Sequence, residues 1–461
     1  MKKDLFTLKV CLLTSALALW SIATTAQSRS SGSKSPAGAA YMLNDGSTVT
    51  KTDETLSTST SDYNVVQVTN GTLTLNNCSV QKTGDYSSSY SGDDTSFYGT
   101  NSAVYASGSS AAAVISGGSV TTNAKGANAI FATNGATITV SNVTIDNTKS
   151  VSRGLHCTGG GIINASNVNI TTRSETSSTV ATDRGGGTVT VTGGTITAKG
   201  SKSSVIYSTG TITVDDIIGT SEKGPMATVE GGNYVTIRNS TMTSHSDARG
   251  ILLHQSNSGD AEGTKPVCTV TGSTLTTTDS SAPLCFVTNV TGTLTLTDVT
   301  LSVASGKLMS VEYYKRGTGS TGTLELRTTN DSWEYTGTVD ADNINNVAVS
   351  VGENVTWNGA ANSAGTALSA NVTVNEGAVW NLTGNATVTK LVNNGTINKN
   401  GYTLTYSSLS GSGTINETTG IKEVRSRKSD GRGEFYTLDG RRADASVKGI
   451  VIQDGKKVVK K

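Results

Sequence analysis

Apolar and polar residues alternate with a period of two in short phrases that return about every 25 residues. Leu73-Thr74-Leu75, Ile138-Thr139-Val140, Val189-Thr190-Val191, Ile212-Thr213-Val214, Val235-Thr236-Ile237 and Leu294-Thr295-Leu296 are examples. Aligning their central residues gives the series Leu75, Ile115, Val140, Ala165, Val191, Val214, Ile237, Val270, Leu296 and Leu326, with steps of 40, 25, 25, 26, 23, 23, 33, 26 and 30. Thr and branched aliphatics favour the pleated, half-buried surface of a strand, and period two puts the apolar members on one face. A recurrence of this length predicts a solenoid, in which each repeat buries its apolar face against its neighbours.

Two further runs accompany each phrase. One precedes it: Ala103-Val104-Tyr105-Ala106, Ala129-Ile130-Phe131-Ala132, Gly154-Leu155-His156-Cys157, Val205-Ile206-Tyr207-Ser208, Ile251-Leu252-Leu253-His254 and Leu284-Cys285-Phe286-Val287. The other follows it, as in Asn142-Val143-Thr144-Ile145 and Gly194-Thr195-Ile196-Thr197. Three short strands per coil, with Gly, Asn and Ser at the corners where positive φ is tolerated, describe one rung of a single-chain parallel β-helix of pectin-lyase-like architecture. Roughly fourteen coils at the strand spacing predict a rod of about 65–70 Å. The long steps place insertions at Asp85–Thr100, Gln255–Lys265 and Glu312–Ser320, and insertions of this kind map to loops, often on a binding face. Near residue 340 the coils become leaner and Asn-rich. The expected organisation is a signal peptide at 1–26, an N-terminal cap at 27–60, the main β-helix at 61–340, leaner coils at 341–420, a charged linker at 421–433 and a small C-terminal β module at 434–461.

Composition narrows the function classes. Lys2 and Lys3, the mostly apolar run Val10–Ile22 and small residues ending at Ala26 form a secretory signal, with cleavage expected before Gln27. Cys11 lies near the start of the apolar run rather than at its end, so lipidation is not expected. No later segment is apolar enough to span a bilayer. Charged residues make up 15% of the chain and the net charge is +1, which is no footprint for nucleic acid. Cys78 and Cys268 fall in aliphatic slots of the repeat, so the cysteines read first as small interior hydrophobes; a Cys268–Cys285 bridge stays open in an exported chain. Neither metal nor cofactor is expected.

Two stretches resemble known families. Gly377-Ala378-Val379-Trp380-Asn381-Leu382-Thr383-Gly384-Asn385-Ala386-Thr387-Val388 and Leu391-Val392-Asn393-Asn394-Gly395-Thr396-Ile397, with Thr356-Trp357 echoing Val379-Trp380, resemble the coils of autotransporter passenger domains over about 345–416. That resemblance implies a right-handed parallel β-helix displayed on a bacterial surface, commonly as an adhesin. No barrel strands follow. The tail, Phe435-Tyr436-Thr437-Leu438-Asp439-Gly440-Arg441-Arg442, Lys448-Gly449-Ile450-Val451-Ile452 and Asp454-Gly455-Lys456, resembles instead the sorting signal of type IX secretion. It implies that Tyr436, Leu438, Gly440, Arg441, Gly449, Ile450, Gly455 and Lys456 are read by secretion machinery. By pattern alone the tail is a set of hairpins turning at Asp439-Gly440 and Asp454-Gly455.

Candidate ligand-binding residues are aromatic. Tyr105, Phe131, His156 and Tyr207 recur at one phase and are expected to point outward, as a ladder on which sugar rings stack; the competing reading is that they cover strand backbone or form an interior stack. Tyr86, Tyr90 and Tyr98 in the first insertion, and Tyr313 and Tyr314 in the third, offer a second surface. Glycoside hydrolysis needs two convergent carboxylates. Asp183-Arg184, Asp247 with Arg249, and Arg153 with His156 fall at different phases by sequence, and the carboxylates are not expected to stack. The expected function is therefore a non-catalytic adhesin or glycan-binding protein, secreted or on the outer face of the outer membrane, whose partner is a glycan or a surface molecule of a host or neighbouring cell. A structural stalk is second, and a polysaccharide lyase or glycoside hydrolase third.

Overall fold

The computed structural model describes residues 34–256, 261–314, 319–417, 435–437, 441–443, 448–453 and 456–460. The signal peptide, the linker, Leu438, Gly440 and Gly455 lie outside the described residues.

The threonine phrases stack as parallel strands, one per coil. All ten central residues from Leu75 to Leu326 stand in a single register column. Fifteen rungs follow one another from Thr48–Thr52 to Leu404–Ser410, about 67 Å at the strand spacing. The strands that follow each phrase belong to the same 22-stranded sheet. The preceding runs build a second parallel sheet of 12 strands, from Gly38–Leu43 to Thr338–Ala341. The segment expected as a cap thus already forms the first rung: Gly38–Leu43, Thr48–Thr52 and Thr55–Thr58 all pair with the coil above.

The rhythm change near 340 is a change of architecture. The 12-stranded sheet ends at Ala341, and a five-stranded sheet takes its place, from Trp333–Thr336 through Val355–Gly359, Val379–Leu382 and Thr396–Asn398 to Thr414–Asn416. At the C-terminus, Phe435–Tyr436, Arg442–Ala443, Gly449–Gln453 and Lys456–Lys460 form an antiparallel four-stranded sheet.

The interior is a narrow apolar column of Val, Ile, Leu and Ala, including Leu73, Ile138, Ile163, Val189 and Leu294. Each buried branched aliphatic contributes about 1.5–3 kcal/mol relative to exposure. The coils from Leu75 to Leu296 turn between the phrase and the next strand through a left-handed residue. Asn77, Asn142, Asn167, Asp216, Asn239 and Asp298 hold φ between 47° and 56° there, and Gly takes the position at 117, 193 and 272. Short polar side chains reach this region because they bond locally, and Asn77 Nδ2 donates 2.6 Å to Asp53 Oδ1 in the coil before. The next inward column is polar. In it Lys82 is fully buried, and its ammonium donates to Thr60 O (2.8 Å) and Gly84 O (2.6 Å). Cys78, Cys157, Cys268 and Cys285 are all free and buried. Burial pushes the Cys268 thiol up to about 12.

Candidate functional site

The outer face of the 12-stranded sheet carries the chemistry. Its central column runs Tyr105, Phe131, His156, Ala181, Tyr207, Thr228, Leu252, Phe286 and Ser310 in continuous register. Val104, Ala106, Ile130 and Ala132 on either side of the rings belong to the interior, so the rings point away from the core as their phase predicts. Tyr105 and Phe131 stack, with centroids 5.9 Å apart and planes 12° apart. His156 meets Phe131 edge-on at 5.0 Å and 81°.

These three rings are nevertheless covered. Tyr105 is 6% exposed, and Phe131 and His156 are 0% exposed. The first insertion forms a short helix, Gly92–Tyr98, which lies over them. Ser91 caps it, with Asp94 closing a capping box, and Gly99 ends it at φ 63°. A Cβ at Gly99 would stand 2.5 Å from the Phe131 ring, so only glycine lets the helix sit this close. Three polar anchors hold it down: Asn128 Nδ2 donates to Thr95 O (2.8 Å), Thr158 Oγ1 to Phe97 O (3.0 Å) and Arg153 Nη1 to Ser96 Oγ (2.6 Å). The Arg184 guanidinium stacks 4.0 Å over the Phe97 ring. The ring ladder is the floor under a folded insertion, not an open platform.

The insertion's own tyrosines serve the same end. Tyr86 faces Lys125 at 5.3 Å and Tyr90 faces Lys34 at 5.1 Å. The Tyr90 hydroxyl also donates to Ser35 O (3.0 Å). Tyr98 packs edge-on against Phe97 at 6.5 Å. All three are half-buried.

Arg153, His156 and Asp183 come together, contrary to the phase argument from sequence. Arg153 Nη2 lies 3.2 Å from Asp183 Oδ2, and His156 Nε2 lies 4.0 Å from the same oxygen. Arg153 and His156 share one coil and Asp183 belongs to the next, and strand stacking on this face removes the sequence distance between them. Both His156 ring nitrogens lack a hydrogen bond. Burial, with Arg153 beside it, holds this imidazole neutral and well below its usual range.

Beyond Ala181 the column is partly uncovered: Tyr207 and Leu252 are half-buried, whereas Thr228, Phe286 and Ser310 stay buried. The Tyr207 hydroxyl donates to Glu230 Oε2, Ser256 N donates to Glu230 Oε1 (3.2 Å), and His254 Nε2 lies 3.7 Å from Glu230 Oε2. Burial, then the charges of Asp183 and Glu230, push the Tyr207 phenol well up. Burial lowers His254 against the pull of Glu230. Glu230 stands three residues past Ala227, as Asp183 does past Val180, and Val180 and Ala227 share one column. The two carboxylates therefore do stack, two rungs and roughly 9–10 Å apart. Sequence reasoning missed Glu230; the signal was the fourth position of Ala227-Thr228-Val229-Glu230 beside Ile251-Leu252-Leu253-His254.

Next along the column, the Arg249 guanidinium lies 4.6 Å from the Phe286 centroid and 5.6 Å from that of Tyr314. Tyr313 and Tyr314 are 52% and 46% exposed. Among the described residues no three His, Cys, Asp or Glu side chains gather to hold a metal ion, and no helix is long and apolar enough to cross a membrane.

Stacked parallel sheets with one chemically decorated outer face define the class as a parallel β-helix. No family model matches the chain, and no curated protein and no solved structure matches it.

Proposed function

We propose that the chain is an exported β-helix protein, held on the cell surface or released, that binds glycan without catalysis in an adhesin-like role. The observation that carries this reading is the partly uncovered second half of the 12-stranded sheet. There the half-buried Tyr207 and Leu252, two rungs apart, together with Arg249 and the exposed Tyr313 and Tyr314, are carried on one stiff support. Flat rings and polar donors at fixed spacing suit a repeating saccharide, and weak contacts repeated along a rod add through multivalency. The autotransporter-like lean coils and the tail resembling a type IX sorting signal support display outside the cell. A glycan array probed with the full chain tests the reading: saturable binding that falls on Tyr313→Ala and Tyr314→Ala supports it, and binding to no glycan removes it.

The stacked pair Asp183 and Glu230 favours a second reading, glycoside hydrolysis. Its separation is near that of the two carboxylates in inverting enzymes, but both are buried and engaged. Release of new reducing ends from any bound glycan, abolished by Glu230→Gln, would put this reading first.

A further inference from the structure

We propose that Arg249 is the anion-recognition residue of this face, and that the glycan bound there carries a carboxylate or sulfate. The proposal rests on the glycan-binding reading and adds the charge of the ligand to it.

The guanidinium is held but not satisfied. Phe286 and Tyr314 fix it by ring contacts at 4.6 and 5.6 Å. Glu312 and Asp247 are near enough for their charge to be felt, yet neither forms an ion pair with it. Among the described residues no carboxylate, carbonyl or hydroxyl accepts from its N–H groups. By contrast, the buried Arg153 is satisfied by Ser96 and Asp183. Arginine stacked on rings keeps its planar fork free at the edge, and that edge matches the two oxygens of a carboxylate or sulfate.

The surroundings assign the rest of the ligand. Leu252 precedes Phe286 in the same column and is half-exposed, which gives an apolar floor one rung away. Tyr314, whose ring faces Arg249, is 46% exposed and suits the face of a pyranose ring. Glu312 is already engaged by Ser310 Oγ at 2.5 Å, and Glu230 by Ser256 N and Tyr207. Glu312 and Glu230 are thus turned to protein donors, and neither pairs with the Arg249 guanidinium.

The test measures binding of the full chain to two matched pairs: hyaluronan with its carboxyl-reduced form, and dextran sulfate with dextran. The expected result is saturable binding to at least one charged member and at least about tenfold weaker binding to its neutral partner. Binding to hyaluronan alone assigns a carboxylate, and binding to dextran sulfate alone assigns a sulfate. Arg249→Gln is expected to lose about tenfold or more on the charged member, while Arg249→Lys, which keeps charge but not the fork, falls between. Circular dichroism and the melting temperature of each variant show that the coil is intact. Equal binding to charged and neutral partners, unchanged in Arg249→Gln, overturns the inference and leaves glycan binding standing. Binding to none of the four probes overturns the inference, and absence of binding across the wider glycan array removes the glycan reading itself.

Discussion

Trp357 and Trp380 stack inside the lean coils, with ring centroids 5.0 Å apart and planes 11° apart. Each indole donates to a glycine carbonyl on the coil before it: Trp357 Nε1 to Gly337 O at 2.9 Å and Trp380 Nε1 to Gly359 O at 3.0 Å. Both are fully buried. The pair therefore fills the interior and supplies the polar contact that a wide ring needs there.

Trp380→Ala is expected to cost about 3–5 kcal/mol, from lost burial and the cavity left behind. Trp380→Phe is expected to cost less, mostly through the Gly359 carbonyl left without its donor. Urea titrations followed by far-ultraviolet circular dichroism measure both; a Trp380→Phe midpoint equal to that of the natural chain would show that the indole N–H bond contributes nothing.

Arg153 fastens the helix Gly92–Tyr98 to the sheet through Ser96 and faces the buried carboxylate of Asp183. Arg153→Ala removes both contacts, and breaking a buried pair from one side costs about 3 kcal/mol or more. The expected signature is local as well as global: faster proteolytic cleavage within residues 85–100, with greater binding of a hydrophobic dye as Tyr105 and Phe131 lose their cover. Unchanged cleavage would mean that Asn128 and Thr158 suffice as anchors.

His156 makes stability fall in acid. Its folded value lies well below the usual 6.5, so below that pH the unfolded chain takes up a proton that the folded chain refuses. Stability is fully present above about pH 6.5 and declines as pH drops toward the folded value. Phe fits the edge-on contact with Phe131 and brings no nitrogen to satisfy. His156→Phe is expected to be near neutral at pH 7.5 and to gain about 2 kcal/mol over the natural chain at pH 5. Melting curves at the two pH values check this; parallel loss in both chains would assign the acid sensitivity to other groups, His254 first.

The scaffold was legible because its information is local. Alternation of Thr with Val, Ile or Leu sets which face is buried, and a one-residue slip would turn every side chain over. The column from Leu75 to Leu326 could be aligned from residue types alone, and so could the outward phase of Tyr105 and Phe131. The covering of those rings was not legible. It depends on where a 16-residue insertion lands, and the insertion's helix is short and polar except for Phe97 and Tyr98. The meeting of Arg153 with Asp183, and of Tyr207 with Glu230, was hidden for a related reason. Outward residues carry no periodic constraint, and their neighbours are set by stacking across about 25 residues. Lys82 was missed because its place in an inward column is redeemed only by the carbonyls of Thr60 and Gly84.

The left-handed corner that recurs at Asn142, Asn167, Asp216 and Asn239 acts as a ruler mark. Between two marks lies one whole circuit of the chain, and the marks superpose. The rod can therefore change length only in steps of one complete circuit, roughly 4.8 Å each. A partial circuit would set apolar residues outward on every later rung. The reach of the Arg249 face from either end of the molecule is in this sense quantised: genetic duplication or loss of a circuit moves the face by a fixed increment and leaves its chemistry untouched.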